Sequence, residues 1–295
     1  MRQPGKKDKK TVTTKRVIAR LDIKGPNLVK GIHLEGLRVL GKPWDFARYY
    51  YENGADELIF QDVVASLYGR NCLYDIIVKT AKEIFIPLTV GGGLRTLEDI
   101  GTALRSGADK VSLNTAVIKN PGLIADAVKM FGASSIVVAI EAIKQANGEY
   151  LAFIDNGREY TGIEVFEWAR KVEELGAGEI LVTSVDKDGT GSGFDLDLVK
   201  VIAANASVPV IAHGGAACIQ HMLDVFEQTE ADAVAVASML HYGFIQNISG
   251  VDHFDFQEEG NIEFIKKARA FKNFGVESVR SIKEKLVDNE VGCRT

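Results

Sequence analysis

Two carboxylates stand out by where they sit. Asp22 and Glu141 each fall at the end of a short apolar run, 17–23 (VIARLDI) and 135–141 (SIVVAIE). A charge closing a segment otherwise suited to burial is costly unless it is used. Two such groups could serve as the donor and the acceptor of a proton in one reaction; the plainer alternative is a helix cap or a salt-bridge partner. Glycine-rich turns accompany them. Gly91-Gly92-Gly93 follows the run 86–90 and Gly214-Gly215 follows 208–212. Asn114-Thr115 follows 109–113, Ala237-Ser238 closes 232–238, and Asp188-Gly189-Thr190 lies beyond 179–184. Where glycine removes the side chain, backbone N–H groups can approach an anion, and a helix starting there adds a favourable dipole. One such run is as easily a tight turn, but two at equivalent positions point to a long substrate with a phosphate at each end. Lys30 stands in a stretch of nearly twenty residues, 24–43, long enough for a lid. It could reach a phosphate or be a solvated lysine.

Strand-length β-branched runs recur at 17–23, 57–62, 86–90, 109–113, 135–141, 179–184, 208–212 and 232–238. Amphipathic helical stretches such as 44–54, 71–84, 96–106, 162–175 and 216–228 lie between them. Near-continuous hydrophobicity marks parallel strands buried on both faces. Eight of them alternating with helices fit an α/β fold of the (β/α)8 TIM barrel type better than an open doubly wound sheet. The two halves repeat: Pro87-Leu-Thr-Val-Gly-Gly-Gly matches Pro209-Val-Ile-Ala-His-Gly-Gly at an offset of 122, as Glu57 matches Glu179. Ala108-Asp109 and Ala231-Asp232 match at 123, and Asp22 and Glu141 at 119. The expectation is one barrel over 15–295, duplicated from half-barrels of about 15–132 and 133–242, with paired sites at its mouth. Outside the repeat lie a basic arm, 1–14, expected to be disordered, and a β-hairpin within 142–161 that turns at Asn147-Gly148. An insertion over 243–275, with an irregular loop and an extra helix, precedes a final helix at 276–290.

Of 295 residues, 46% are hydrophobic and 25% charged, which fits a globular protein rather than a disordered or fibrous one. No window approaches the ~18 unbroken apolar residues of a membrane helix. A net charge of −5 argues against a nucleic-acid binder. Cys72, Cys218 and Cys293 form no CxxC pair, and the five histidines show neither HxxxH nor HExxH. No metal, cofactor or disulfide framework is called for, and a reducing cytoplasm is the expected location.

At the opposite face, Arg16, Glu57, Lys110 and Glu179 stand at or near the starts of the first, second, fourth and sixth runs. Two cations and two anions there could form a ring across the barrel floor. Spacing alone favours a stabilising cap over a gate on a channel along the axis.

The segments Arg20-Leu-Asp-Ile-Lys, Val29-Lys30-Gly31, Gly54-Ala-Asp-Glu-Leu-Ile-Phe, Thr89-Val-Gly-Gly-Gly, Gly107-Ala-Asp-Lys-Val-Ser-Leu-Asn-Thr, Gly176-Ala-Gly-Glu-Ile-Leu-Val-Thr-Ser and Asp188-Gly-Thr resemble, in order, the cyclase subunits of imidazole glycerol phosphate synthase. The likeness runs from about 15 to 242 and resumes at 276–294. It implies a barrel that receives ammonia from a glutaminase subunit, as a heterodimer, through the gate Arg16, Glu57, Lys110 and Glu179, which reverses the preference for a cap. The ammonia would convert phosphoribulosyl-formimino aminoimidazole carboxamide ribonucleotide to imidazole glycerol phosphate and aminoimidazole carboxamide ribonucleotide, a step of histidine synthesis. By the same resemblance Asp22 and Glu141 are catalytic. Gly92, Gly93, Asn114 and Thr115 hold one phosphate; Asp188, Gly189, Gly214, Gly215, Ala237 and Ser238 hold the other. Thr183 touches substrate, Lys30 belongs to a mobile lid, and Asp109 lies at the glutaminase interface. The chain departs from the family pattern at Arg20 (usually Cys), Gly25-Pro26 (usually Asp-Gly), Glu141 (usually Asp) and His213 (usually Ser), all on the substrate face. Arg20 beside Asp22 should hold that aspartate ionised. Such departures are similar to those of cyclase-like paralogues that feed ammonia to a sugar amidotransferase in surface-polysaccharide (O-antigen) synthesis.

Overall fold

The computed structural model describes residues 14–65, 73–248 and 274–294. The expected basic arm (apart from Thr14), Cys72, and the insertion between 248 and 274 lie outside them. Eight parallel strands close into a barrel: β1 (Arg16–Lys24), β4 (Glu57–Asp62), β5 (Leu88–Gly91), β6 (Lys110–Leu113), β7 (Ile136–Lys144), β10 (Glu179–Ser184), β11 (Val210–His213) and β12 (Ala233–Val236). β1 pairs with both β12 and β4, and β7 with both β6 and β10, so the barrel sheet has no open edge. Each strand is buried on both faces. Ile18, Ile59, Val137, Ala139, Leu181, Ile211, Ala233 and Ala235 fill the barrel, while the alternate residues pack outward against the helices. At ~1.5–3 kcal/mol per buried aliphatic side chain, this alternation fixes the strand register.

The helices are α1 (Pro43–Glu52), α2 (Tyr74–Ala81), α3 (Leu97–Arg105), α4 (Thr115–Lys119), α5 (Gly122–Phe131), α6 (Val165–Glu174), α7 (Leu196–Asn205), α8 (Ile219–Gln228), α9 (Ser238–Ile248) and α10 (Val279–Asp288). Their starts follow local chemistry. Pro43 opens α1, where its missing N–H costs nothing. Thr96 and Asp99 exchange side-chain and backbone hydrogen bonds at the head of α3. The final helix expected at 276–290 is α10. Among the described residues no helix is long and apolar enough to cross a membrane.

The internal repeat is visible bond by bond. Asp109 accepts a hydrogen bond from the Leu88 N–H (2.8 Å), and its repeat mate Asp232 accepts one from Val210 (3.0 Å). Gly92 and Gly214 occupy matching corners with φ of +94° and +103°. A Cβ at Gly92 would lie 2.2 Å from the Asp62 carbonyl oxygen, and one at Gly214 2.7 Å from that of Ser184. Glycine is therefore required at both corners by close approach as well as by φ.

Two stretches differ from expectation. Residues 24–43 are not an irregular lid loop but an antiparallel hairpin, β2 (Asn27–Ile32) and β3 (Glu35–Gly41), with Val29 of β2 opposite Asp22 of β1. Gly25-Pro26 turns the chain back after β1, a turn signal that a count of residues overlooks. The second turn places His33 and Leu34 at φ of 52° and 60°, the left-handed pair of a two-residue hairpin loop. The hairpin expected at 142–161 is present, turning at Gly148, but it gains a further strand: β8 (Tyr150–Ile154) turns at Asp155-Asn156-Gly157 into β9 (Glu159–Glu164). The helix expected from 162 accordingly begins at Val165.

Candidate active site at the barrel mouth

The first layer inside the barrel, at the N-terminal ends of its strands, is a closed ring. Arg16 donates to Glu57 (2.6 Å) and to Glu179 (2.5 Å), and Lys110 donates to the other oxygens of the same two carboxylates (3.0 and 2.9 Å). Each glutamate thus has both oxygens paired, and charges that would be costly in an apolar barrel are neutralised across it. Asp109 sits beside this ring, spending one oxygen on the Leu88 N–H.

At the other end, the sequence candidates separate into two groups. Gly92, Gly93, Asn114, Thr115 and Glu141 line one cavity of about 350 Å³, together with Gln61, Ser112, Ala139, Asp155, Asn156, Arg95 and Lys119. Glu141 points into it. Its Oε2 accepts a hydrogen bond from the Gly157 N–H at 2.8 Å. Burial pushes its pKa up to about 7, against the opposing effects of that hydrogen bond and of the Arg20 charge. The carboxyl is therefore poised to take or give a proton near neutrality. The Ser112 hydroxyl, also in the cavity wall, is buried with no hydrogen-bond partner among the described residues.

The second group is a buried ion-pair network. Arg20 Nε donates to Asp22 Oδ1 (2.9 Å), and Lys30 Nζ donates to Asp22 Oδ2 (3.0 Å) and to both Asp188 oxygens (3.0 and 2.8 Å). Across the barrel, Arg20 Nη1 donates to Thr183 Oγ1 (3.1 Å) and to His213 Nδ1 (3.0 Å). Burial alone would raise the pKa of Asp22, but the Arg20 and Lys30 charges outweigh it and hold the carboxylate well below its usual range. The expectation that Arg20 keeps Asp22 ionised therefore holds. Lys30 is 2% exposed, which removes the solvated reading of this lysine. The β2–β3 hairpin that carries it is fastened down: the His33 N–H donates to the Asp188 carbonyl (2.8 Å) and Asn156 donates to that of Leu34 (2.9 Å). Gly189, Gly214, Gly215, Ala237 and Ser238 follow β10, β11 and β12 at this same end.

The turn Asp155-Asn156-Gly157, which holds Glu141 and hydrogen-bonds Thr115 through the Asp155 N–H (3.1 Å), escaped the sequence reading. Its Asn-Gly pair is a usable turn signal. What it touches is settled only by the fold.

Among known proteins, the model of the histidine biosynthesis protein family matches residues 16–246. The chain belongs to that family. The match spans all eight barrel strands and both groups at the mouth. Within the family, the chain is similar to the imidazole glycerol phosphate synthase subunit HisF of Legionella pneumophila, at 58% identity over 200 residues, 68% of this chain and 94% of the relative. It is 47% identical to the protein of that name from Alkaliphilus metalliredigens over 229 residues (78% and 91%). With the one from Saccharolobus solfataricus it shares 46% over 235 residues (80% and 93%).

Proposed function

We propose that this chain is the cyclase subunit of an imidazole glycerol phosphate synthase, a lyase of histidine synthesis. It uses ammonia to convert phosphoribulosyl-formimino aminoimidazole carboxamide ribonucleotide to imidazole glycerol phosphate and aminoimidazole carboxamide ribonucleotide. The observation that carries the reading is the pairing, on one barrel axis, of a closed charged ring at the floor with a cavity at the mouth whose carboxyl titrates near neutrality. Arg16, Glu57, Lys110 and Glu179 gate ammonia released by a glutaminase subunit docked on the floor, with Asp109 at the contact, in a cytoplasmic complex. Gly92, Gly93, Asn114 and Thr115 bind one phosphate of the substrate. Asp188, Gly189, Gly214, Gly215, Ala237 and Ser238 bind the other, with Thr183 and the hairpin's Lys30 against the sugar–phosphate chain. Glu141 moves the proton; the ionised Asp22 holds Arg20 and Lys30 in place beside the mouth.

One observation favours a second reading. Arg20 occupies the barrel centre and ties up Asp22, so the substrate end is rebuilt while the floor ring is complete. That suits a barrel that activates a glutaminase and conducts ammonia to a sugar amidotransferase of surface-polysaccharide synthesis. The purified chain, given the formimino substrate with excess ammonium salt at mildly alkaline pH, separates the two by ultraviolet absorbance. Turnover abolished in Glu141→Gln establishes the cyclase. A folded chain that stimulates its glutaminase without turnover establishes the second reading.

A further inference from the structure

Arg20 and His213, both buried at the mouth, touch each other. We infer that they form a positioning pair that takes Asp22 out of proton transfer and leaves Glu141 as the one carboxyl of the two able to exchange a proton with a molecule in the mouth cavity. The inference deepens the cyclase reading and rests on it for the chemistry, though not for the titration.

Three observations support it. Both Asp22 oxygens are already taken, one by Arg20 and one by Lys30, at 2.9 and 3.0 Å, and the residue is 1% exposed. Asp22 does not border the cavity, whereas Glu141 does. Arg20 is held from its far side, so it cannot swing away cheaply: Nη1 donates to both Thr183 Oγ1 and His213 Nδ1. Accepting at Nδ1 requires a neutral ring with its proton on Nε2, which faces Asp188 Oδ1 at 3.8 Å. Burial and the Arg20 and Lys30 charges keep His213 neutral by pushing its pKa well down. Protonation of His213 on Nδ1 would break one of the arginine's two far-side bonds and place a third cation beside two, so the arrangement is self-consistent only with the ring neutral. Glu141 faces a different set: Arg20 from β1, Asn114 at the head of α4, and Asp155 and the Gly157 N–H from the β8–β9 turn. Lys119 lies beyond Asp155 at 3.9 Å. No cation in that set makes an ion pair with Glu141 among the described residues, so its proton remains exchangeable.

The test is carboxyl-carbon NMR on the full chain labelled in Asp and Glu, from about pH 4 to 9. The proteins are wild type, Glu141→Gln, Arg20→Gln and Arg20→Lys, with Asp22→Asn to assign its signal. The expected result is one carboxyl titrating near pH 7 that disappears in Glu141→Gln, and an Asp22 signal that is flat throughout. In Arg20→Gln the Asp22 midpoint should rise into the observed range; Arg20→Lys, which restores a cation, should return it toward flat. An Asp22 signal that titrates in wild type, or a near-neutral titration that survives Glu141→Gln, overturns the inference. If the Arg20 variants fail to fold, wild type, Glu141→Gln and the Asp22→Asn assignment still decide which carboxyl exchanges its proton. With substrate and ammonium salt, kcat should follow a single carboxyl limb set by Glu141. Absence of turnover alongside the expected titrations defeats the cyclase reading and leaves the proton assignment standing.

Discussion

Burying Glu141 should make the whole fold pH-sensitive in a way that a single substitution removes. Its ordinary pKa of 4.5 is raised to about 7 in the folded chain, chiefly by burial. Below pH 4.5 both folded and unfolded chains hold the proton, and the group contributes no slope. Between 4.5 and 7 the folded state holds more proton than the unfolded one, so stability falls as pH rises. The fall is ~1.4 kcal/mol per pH unit and totals about 3 kcal/mol before flattening above pH 7. Glu141→Gln keeps the size and a hydrogen-bond acceptor for the Gly157 N–H but cannot ionise. Urea unfolding of both proteins at about pH 4.5, 6 and 8 should therefore give ΔG values that differ increasingly with pH. The variant should gain about 3 kcal/mol relative to wild type between the extremes. Parallel profiles for the two proteins would refute the assignment of a raised pKa to this residue, and a gap that opens toward acid would reverse its sign.

Gly92→Ala forces a Cβ to 2.2 Å from the Asp62 carbonyl at a φ of +94°; a loss of roughly 3 kcal/mol or more in thermal unfolding is expected, from strain plus displaced backbone. Thr96→Ala deletes the cap that accepts the Asp99 N–H at 3.1 Å and should cost ~1 kcal/mol in urea unfolding with no change at the mouth. Asp109→Ala leaves the Leu88 N–H without its 2.8 Å acceptor; a destabilisation of ~0.5–1.5 kcal/mol by the same assay is expected, since the exposed position lets water replace it. Lys110→Met strips one cation from both floor glutamates. In complex with the glutaminase it should depress glutamine-driven turnover more than ammonium-driven turnover, and equal effects on the two would count against a gate.

The barrel was legible because its cause is local and repeated. Buried parallel strands must be apolar on both faces, so runs such as 135–141 and 179–184 announce themselves, and the 122-residue offset of Pro87 and Pro209 carries the symmetry without coordinates. The same logic placed Asp22 and Glu141 at the strand ends and the four floor charges at or near the strand starts, because position along a strand sets height in the barrel. Three things depended on tertiary structure. The stretch 24–43 became a hairpin with Lys30 buried, because its His33-Leu34 turn docks on Asp188 and Asn156, more than a hundred residues away in sequence. The turn 155–157 came to hold Glu141 through one backbone N–H. And Asp22 and Glu141, equivalent in the repeat, were given opposite electrostatics, one clamped by Arg20 and Lys30 and the other buried without an ion-pair partner among the described residues. A strand pattern states which face a side chain takes, but the pKa of a carboxyl depends on what arrives beside it from other strands, and only closing the barrel decides that.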